Sequence, residues 1–300
     1  MSLVAKSVTG EARAPLLPAV CLQGDIGGLK TLQKRWTTFL KAQLVCENPL
    51  TGARYNILRD VFTLQREPGS WGSTRFYGLF TSQWEHDEVS AVCAYSLQEV
   101  GLALAGSYKE VKRDCEKPAY PEPNLHPRPG ACITSSLKAE GFSNSLSLPD
   151  KVLTFVRDHP LMEQPVVASP LLEKMGTKYT KIAVSLAPLH LPSSEFDNTA
   201  ILHLGTVDQK CTTLISVILS LALLLALSLS LALSLSLARS LSLLLFQDYL
   251  YVGSSSTVVK LPLANCSQHS SCQDCVLARD PLCGWDTSQS ACVQPGKSQV

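Results

Sequence analysis

The sequence lacks an excess of charge of either sign, because 26 basic side chains are balanced by 25 acidic ones and the formal net charge is +1. A surface for nucleic acid or for an anionic membrane needs a basic excess, so the composition supports neither partner. The first 17 residues also lack the apolar stretch of a signal peptide, since Lys6, Glu11 and Arg13 interrupt them. Either the chain lacks its natural start or it is not secreted.

Signatures of catalysis and of metal binding are lacking as well. The six histidines stand at no metal-binding or nucleophile–base spacing such as HExxH. Gly24, Gly27 and Gly28 resemble a phosphate-binding loop only loosely, because no Lys-Ser/Thr pair follows them, and a tight turn is the simpler interpretation. His203 stands between two leucines and is predicted to be a strand residue that points outward. We therefore predict neither an enzyme nor a cofactor.

Cysteine is abundant, and five of the eleven cysteines lie in the last 35 residues. Such a density is typical of small extracellular modules, which disulfides stabilise because their apolar core is too small. Cys272 and Cys275 also have the spacing of zinc ligands, but no second close pair of Cys or His follows them. We favour disulfides and an oxidising compartment, and hence a missing natural start. An Asn265-Cys266-Ser267 sequon predicts glycosylation at Asn265.

Short runs of β-branched and aromatic residues recur and predict an all-β fold. Leu40, Ala42, Leu44 and Cys46 alternate with other residues, which places these four on one face of a strand. Further strands are predicted at 75–80, 90–95, 181–185, 201–204, 249–252 and 257–260, and the last two form a hairpin.

One helix interrupts this pattern. It is predicted to begin at Pro149 and Asp150, to carry an apolar stripe and to end before Pro160. The stripe consists of Val152, Leu153 and Val156. The segment from Leu29 to Trp36, just upstream of the strand at 40–46, fits a helical turn as well as it fits a strand. Tryptophans are common anchors for a partner, but we expect Trp36, Trp84 and Trp285 in the core.

Residues 211–247 differ from the rest in kind, because no charge occurs from Cys211 to Ala238 and leucine alternates with serine from Leu227 to Leu237. About 20 uncharged apolar residues are enough to span a bilayer as a helix. Strict alternation, however, would spread the serines around the whole helix. A CT dinucleotide repeat read in frame also encodes alternating leucine and serine. We favour a translated intron or a faulty gene model over a membrane span.

The cysteine-rich tail is similar to the start of the PSI module that follows the sema domain in semaphorins. Its key stretch is CxDCVLARDPxCxW, from Cys272 to Trp285. Upstream blocks resemble class 4, membrane-bound semaphorins: LQKRWTTFLKAQLVC (32–46), FYGLFTSQW (76–84), SAVCAYSL (90–97), RPGACI (128–133), SLSLPDKVLTFVRDHPLM (145–162) and ILHLGT (201–206).

The resemblance implies part of a seven-bladed β-propeller sema domain, followed by a small disulfide-rich PSI domain. The expected division is 1–20 unassigned, 21–210 partial sema domain, 211–247 Leu/Ser insert, 248–264 last sema strands and 265–300 truncated PSI domain. The match begins near the middle of a sema domain. We therefore expect the chain to fold poorly alone, because an open propeller exposes sheet edges and an apolar flank.

The resemblance also implies the disulfides Cys21–Cys132, Cys46–Cys93, Cys266–Cys283 and Cys275–Cys292, each of which is expected to stabilise by about 2 to 4 kcal/mol. Cys272 is expected to pair with a cysteine beyond Val300. Cys272, Cys115 and Cys211 are therefore predicted to be free thiols in this chain.

The implied function is that of an extracellular ligand that binds a plexin-type receptor in axon guidance and cell migration. A sema-domain homodimer would bring two receptors together. The implied location is the cell surface, through a single-pass anchor outside this chain. Two alternatives stay open. A plexin-like receptor also joins sema and PSI modules, and a membrane protein of another function would rest on residues 212–237 alone.

Overall fold

The computed structural model describes residues 2–3, 16–20, 26–28, 31–67, 70–82, 89–109, 124–186, 200–206, 211–216, 229–231, 242–246, 248–253, 257–278 and 280–294. The chain divides into two compact units. The first comprises Met1–Leu58, Trp71–Ser73 and Tyr95–Ser169, and the second comprises Arg59–Ser70, Thr74–Ala94 and Pro170–Val300.

Strands predominate over helices. The strands are β1 (Ser2–Leu3), β2 (Leu16–Val20), β3 (Leu40–Glu47), β4 (Arg54–Tyr55), β5 (Ile57–Gln65), β6 (Thr74–Thr81), β7 (Val89–Ser96), β8 (Tyr108–Lys109), β9 (Leu161–Met162), β10 (Val166–Ala168), β11 (Pro170–Met175), β12 (Tyr179–Leu186), β13 (Ala200–Thr206), β14 (Cys211–Ser216), β15 (Leu229–Leu231), β16 (Ser242–Phe246), β17 (Tyr249–Gly253), β18 (Val258–Pro262), β19 (Gly284–Asp286) and β20 (Ala291–Val293). The α-helices are α1 (Leu97–Ala105), α2 (Ser135–Ala139), α3 (Asp150–Asp158) and α4 (Cys272–Leu277), and short 3₁₀ helices lie at Trp71–Ser73, Ser145–Ser147 and Cys266–Gln268.

The first unit is built around β3. Its alternating sequence buries Leu40, Ala42, Leu44 and Cys46 on one face, which confirms the predicted strand. Strand β3 lies within the sheet order β1-β2-β3-β9-β8, and it also pairs with β4 and β10. Its pairing with β9 and β10 is parallel, so the chain must cross over between them.

Helix α3 confirms the predicted helix, because Val152, Leu153 and Val156 are buried and His159 caps its end. Helix α1 was not predicted. Ser96 and Glu99 form a capping box at its start, in which the Glu99 amide donates to the Ser96 hydroxyl at 3.1 Å and the Ser96 amide donates to Glu99 Oε2 at 2.8 Å.

The described part of the second unit contains four sheets, in the orders β11-β7-β6-β5, β12-β13-β14-β15, β16-β17-β18 and β19-β20. Strand β12 has buried residues on both faces, as expected of a strand that lies between two layers. Ile182 and Val184 join a cluster that we call the sheet core; its members are Tyr77, Leu79, Val92, Tyr179, Ile182, Val184, Ala200, Leu202 and Leu204. Ala183, on the opposite face, packs with Leu250 and Val252 of β17. The predicted hairpin of β17 and β18 is confirmed.

Both ends of the Leu/Ser segment 211–247 lie in sheets. Strand β14 pairs with β13 along its length, and β16 pairs with β17. The short β15 pairs with β14, whereas 217–228 and 232–241 are outside the described residues. No helix within the described ranges is both long enough and apolar enough to cross a membrane. The origin of the Leu/Ser alternation stays a hypothesis.

The last part of the chain, residues 265–294, forms what we call the cystine domain. It consists of the 3₁₀ helix at Cys266–Gln268, helix α4 and the hairpin β19–β20. Its core is small: Cys266, Cys275 and Cys292 are buried, and Cys283 and Trp285 pack against them. Trp285 is therefore a core residue, as predicted.

Two expectations about single residues are wrong. His203 does not point outward, because it is buried on β13, directly opposite Ala183 on β12. The layer formed by β16–β18 packs on this side of β12, and the sequence of β13 alone could not reveal it. Trp36 is not in the core, because nearly half of its surface is exposed. Trp84 lies outside the described residues.

A candidate interaction surface

The cystine domain contains two of the four implied disulfides. Cys266 is bonded to Cys283 and Cys275 to Cys292, with Cα–Cα separations of 5.4 and 5.7 Å. Because Cys275 is bonded to a second sulfur, it does not act as a zinc ligand here. Cys272 is a free, exposed thiol. Elsewhere in the described chain, no group of three or more His, Cys, Asp or Glu side chains is arranged to hold a metal ion.

The remaining implied cysteine pairs stay predictions. Cys46, Cys93 and Cys132 are each disulfide-bonded. Cys21 and Cys115 lie outside the described residues, and only the backbone of Cys211 is described, in β14.

Asn265, the predicted glycosylation site, is exposed where the cystine domain begins. Its amide nitrogen donates to Gln268 Oε1 at 3.4 Å, and the Ser267 hydroxyl donates to its Oδ1 at 3.4 Å. The middle residue of the sequon, Cys266, is half of a disulfide. Glycosylation at Asn265 stays a prediction.

Three large apolar side chains lie exposed together on the first unit, and we call them the aromatic patch. Ile26, Trp36 and Leu146 are 53, 46 and 70% exposed. Ile26 and Trp36 are partners in an antiparallel bridge. The Ser145 hydroxyl donates to the Ile26 carbonyl at 3.1 Å. A side chain at Gly28 would meet Leu146 Cδ2 at 2.9 Å, so Leu146 lies beside the same segment.

Backbone hydrogen bonds hold the turn that carries Trp36. The Gly27 amide donates to the Arg35 carbonyl at 3.0 Å, and the Arg35 amide donates to the Leu32 carbonyl at 2.9 Å. A Cβ at Gly27 would lie 2.5 Å from the Thr31 carbonyl oxygen, which is too close, so glycine is required. This agrees with the tight turn predicted there.

The same turn is strained. Leu32 and Lys34 have φ values of 56° and 57°, in the left-handed region of backbone conformation that residues other than glycine seldom adopt. Such conformations cost about 1 to 3 kcal/mol each and are found most often at functional sites. Thr37 and Thr38 are buried directly after Trp36 and anchor the turn to the body of the unit.

The turn that carries Trp36 is cationic. Lys34 and Arg35 are exposed in the turn, and the segment 26–38 contains no carboxylate. An apolar centre with charge at its rim is the usual arrangement of a protein-binding surface. The arrangement favours a partner that presents apolar side chains surrounded by acidic ones.

A buried cluster supports β3, which follows this turn. The Arg128 guanidinium lies 4.9 Å above the Tyr108 ring and donates to the Gly106 carbonyl at 2.6 Å. The Tyr108 hydroxyl donates to the Pro129 carbonyl at 2.7 Å, and burial raises the Tyr108 pKa while Arg128 partly opposes the shift. Gly130, at φ +77°, lies so close to Leu40 that a Cβ would collide with it. The RPG sequence is thus part of the scaffold.

Sequence reasoning missed Ile26 and Leu146 as surface residues. Neither belongs to a motif that marks a binding site, and they are 120 positions apart in the chain, from 26 to 146. For Trp36, the sequence pattern favours the core over a role as a partner anchor. The basic residues beside it, Lys34 and Arg35, were the available sign that the turn faces solvent.

Family models and known proteins match most of the chain. A Sema domain model matches residues 58–221, and a Plexin repeat (PSI) model matches residues 265–299. Mouse Semaphorin-4F is 41% identical over 292 residues, which cover 94% of this chain and 36% of that protein. Human Semaphorin-4B is 42% identical over 272 residues, which cover 89% of this chain and 31% of that protein. The chain thus spans about a third of the length of these curated relatives.

Solved structures of sema-containing proteins are similar as well. The structure of Drosophila Plexin A in complex with Semaphorin 1b has a TM-score of 0.78 at 26% identity, and the match covers 99% of this chain and 59% of that chain. Drosophila Semaphorin 2a has a TM-score of 0.74 at 25% identity, covering 95% of this chain and 44% of that chain.

Proposed function

The chain belongs to the semaphorin family, in class 4, and from this membership we propose that it is part of an extracellular ligand that binds a plexin-type receptor. The fold class is the expected one, all-β propeller blades of a sema domain followed by a disulfide-rich PSI domain. The proposed role is signalling in axon guidance and cell migration, without catalysis. The full-length product is further proposed to form a homodimer and to be held at the cell surface by a single membrane anchor.

The aromatic patch is the observation that carries the receptor-binding proposal. Aromatic side chains dominate the binding energy of protein interfaces, and Trp36 is exposed and held by a constrained turn. A preformed turn loses little conformational entropy when a partner binds. Lys34 and Arg35 at the rim would raise the rate of association with an acidic surface.

A solved relative supports the choice of partner. Semaphorin 1b of Drosophila has been solved in complex with Plexin A. The alternative of a plexin-like receptor fragment is less well supported, because the full extracellular region of Plexin A4 is only 14% identical to this chain at a TM-score of 0.62. A membrane protein of another function would rest on the Leu/Ser segment alone.

Binding of the 300-residue chain to immobilised plexin ectodomain tests the proposal. Truncation of Trp36 to alanine is expected to raise Kd about thirtyfold, since a central aromatic residue contributes about 2 kcal/mol or more. Leu146→Glu is expected to weaken binding further, because it places a carboxylate in an apolar contact.

Leu50→Glu is the matched control, because Leu50 is 94% exposed on the same unit and lies outside the aromatic patch. This variant should keep the Kd of the unchanged chain. If Trp36→Ala and Leu50→Glu bind equally well, the patch is not the receptor contact. If the unchanged chain does not bind any plexin although it is folded by circular dichroism, receptor binding itself is wrong for this chain. Growth-cone collapse assays then test the guidance role.

A further inference from the structure

Two distant segments of the first unit, 26–28 and 144–148, are joined by a hydrogen bond and a close packing contact. Ser145 is buried, and its hydroxyl donates to the Ile26 carbonyl at 3.1 Å. Gly28 lies beside Leu146, because a Cβ at Gly28 would stand 2.9 Å from Leu146 Cδ2. Carbon atoms in contact are about 3.5 to 4.0 Å apart, so only glycine leaves room for Leu146 in this position.

Leu146 stands on a short turn with a fixed backbone. It is the middle residue of the 3₁₀ helix at Ser145–Ser147, and its amide donates to Asn144 Oδ1 at 2.9 Å. The residue before it, Ser145, is buried, whereas 70% of the Leu146 surface is exposed. The backbone of this turn is therefore anchored to the body of the unit, and the space beside Gly28 decides where the exposed leucine side chain lies.

We propose that Gly28 is a positioning residue of the receptor contact, which seats Leu146 against the segment that pairs with Trp36, so that a plexin-type receptor binds both side chains as one surface. This inference rests on the proposed function, because it requires that the aromatic patch contacts the receptor. Ile26 is bridged to Trp36, and its carbonyl is held by Ser145. The segment 26–28 thus touches both parts of a patch whose members are 110 positions apart in the chain, from 36 to 146.

Two apolar anchors on separate segments contribute fully to binding only if their spacing is set before the partner arrives, because ordering them during binding costs free energy. A methyl group at Gly28 changes that spacing and leaves every atom of the patch present. Leu146 is the one described residue that a Cβ there would meet within 4 Å. Gly28 is also not among the described glycines with a positive φ, so its backbone accepts alanine.

A double-mutant cycle on the full 300-residue chain tests the coupling. The Kd for immobilised plexin ectodomain is measured for the unchanged chain, for Gly28→Ala, for Leu146→Ala and for the double variant. We expect Gly28→Ala to raise Kd about fivefold and to have no further effect once Leu146 is alanine, because contacting residues are not additive. The urea midpoint of Gly28→Ala should stay unchanged, since the leucine that it displaces is largely exposed.

Gly101→Ala is the matched control, because Gly101 lies on α1 in the same unit and a Cβ there meets nothing within 4 Å. This variant should keep the Kd of the unchanged chain. The inference is overturned if Gly28→Ala binds as Gly101→Ala does. It is also overturned if Gly28→Ala weakens binding equally when Leu146 is alanine, or if the double variant does not fold. Absence of plexin binding by the folded, unchanged chain overturns the proposed function and this inference together.

Discussion

The sheet core of the second unit and the core of the cystine domain solve the same problem by different means. The sheet core contains nine buried side chains from four strands, and all of them are apolar or aromatic. The core of the cystine domain consists of three buried half-cystines with Cys283, Trp285 and Ala264 packed around them. A small domain buries too little apolar surface to be stable without crosslinks. The size of a domain therefore determines whether burial of apolar side chains is sufficient or disulfide crosslinks are needed.

The largest difference between the two cores should come from a cavity in the sheet core. Leu204 is fully buried, and Leu204→Ala is expected to lower the free energy of unfolding by about 3 kcal/mol, within the usual range for such changes. Urea denaturation monitored by circular dichroism measures the loss. Leu244→Ala is the control, because Leu244 is 63% exposed in the same unit and should cost less than about 0.5 kcal/mol.

Removal of a crosslink should act on the cystine domain alone. In the double variant Cys275→Ser/Cys292→Ser, the domain is expected to lose about 3 kcal/mol, as predicted for a loop of this length. Hydrogen exchange should accelerate in α4 and β20 and stay unchanged in β13. The single variant Cys272→Ser should change neither region. Equal acceleration in β13 would mean that the two cores unfold as one.

Acid should weaken the second unit through His203, which lies on the face of β13 opposite the sheet core. Burial lowers the His203 pKa to about 4, from the ordinary value of 6.5. Above pH 6.5 the His203 ring is neutral in both the folded and the unfolded chain, so its titration does not change the free energy of unfolding. As the pH falls from 6.5 towards 4, the unfolded chain takes up a proton that the folded chain does not bind. The second unit is therefore expected to lose about 2 kcal/mol between pH 7 and pH 5.

The Ser185 hydroxyl lies 3.1 Å from His203 Nε2, so the neutral ring has a polar partner on β12. His203→Gln keeps a polar group there and lacks the titration. Denaturation at pH 7 and pH 5 should show the acid-dependent loss in the unchanged chain and not in this variant. An equal loss in both would assign the pH dependence to other groups.

The smallest expected effect has the opposite sign and lies in the cystine domain. Burial raises the Asp280 pKa, although the Leu282 amide, which donates to Asp280 Oδ1 at 2.9 Å, and His269 oppose the shift. A raised pKa means that the folded domain binds the proton more tightly than the unfolded one. The stabilisation is complete below the ordinary pKa of 3.8 and is lost as the pH rises through the folded value.

Hydrogen exchange in α4 at several pH values should therefore show slightly slower opening as the pH falls towards 4, while β13 opens faster. Asp280→Asn keeps the acceptor for the Leu282 amide and should remove this slowing. If both regions respond to acid in the same direction, the two cores do not titrate independently.

Much of the fold could be predicted from local pattern. Alternation placed β3 and chose its buried face, because the side-chain period of a strand is two. The apolar stripe and the flanking prolines delimited α3. The start of α1 carries an equally local signal, the pair Ser96 and Glu99 at capping-box spacing. The half-cystines of the cystine domain were recognisable from their density.

The environments of single residues were harder to predict from the sequence. His203 is predicted to be exposed and Trp36 to be buried, and the structure shows the opposite for both. His203 is polar but lies under the layer of β16–β18, and Trp36 is aromatic but belongs to a turn whose neighbours leave it exposed. Which layers cover a residue is a property of contacts between distant segments.

The sequence by itself determined the period of the strands, the caps of the helices, the family and the cysteines available for crosslinking, because each of these depends on residues close together in the chain. Only the tertiary structure decided that β12 is covered on both faces, that His203 is desolvated and that Leu146 lies beside the segment that pairs Ile26 with Trp36. These features arise from packing between segments that are far apart in sequence, and burial is a property of the assembled layers.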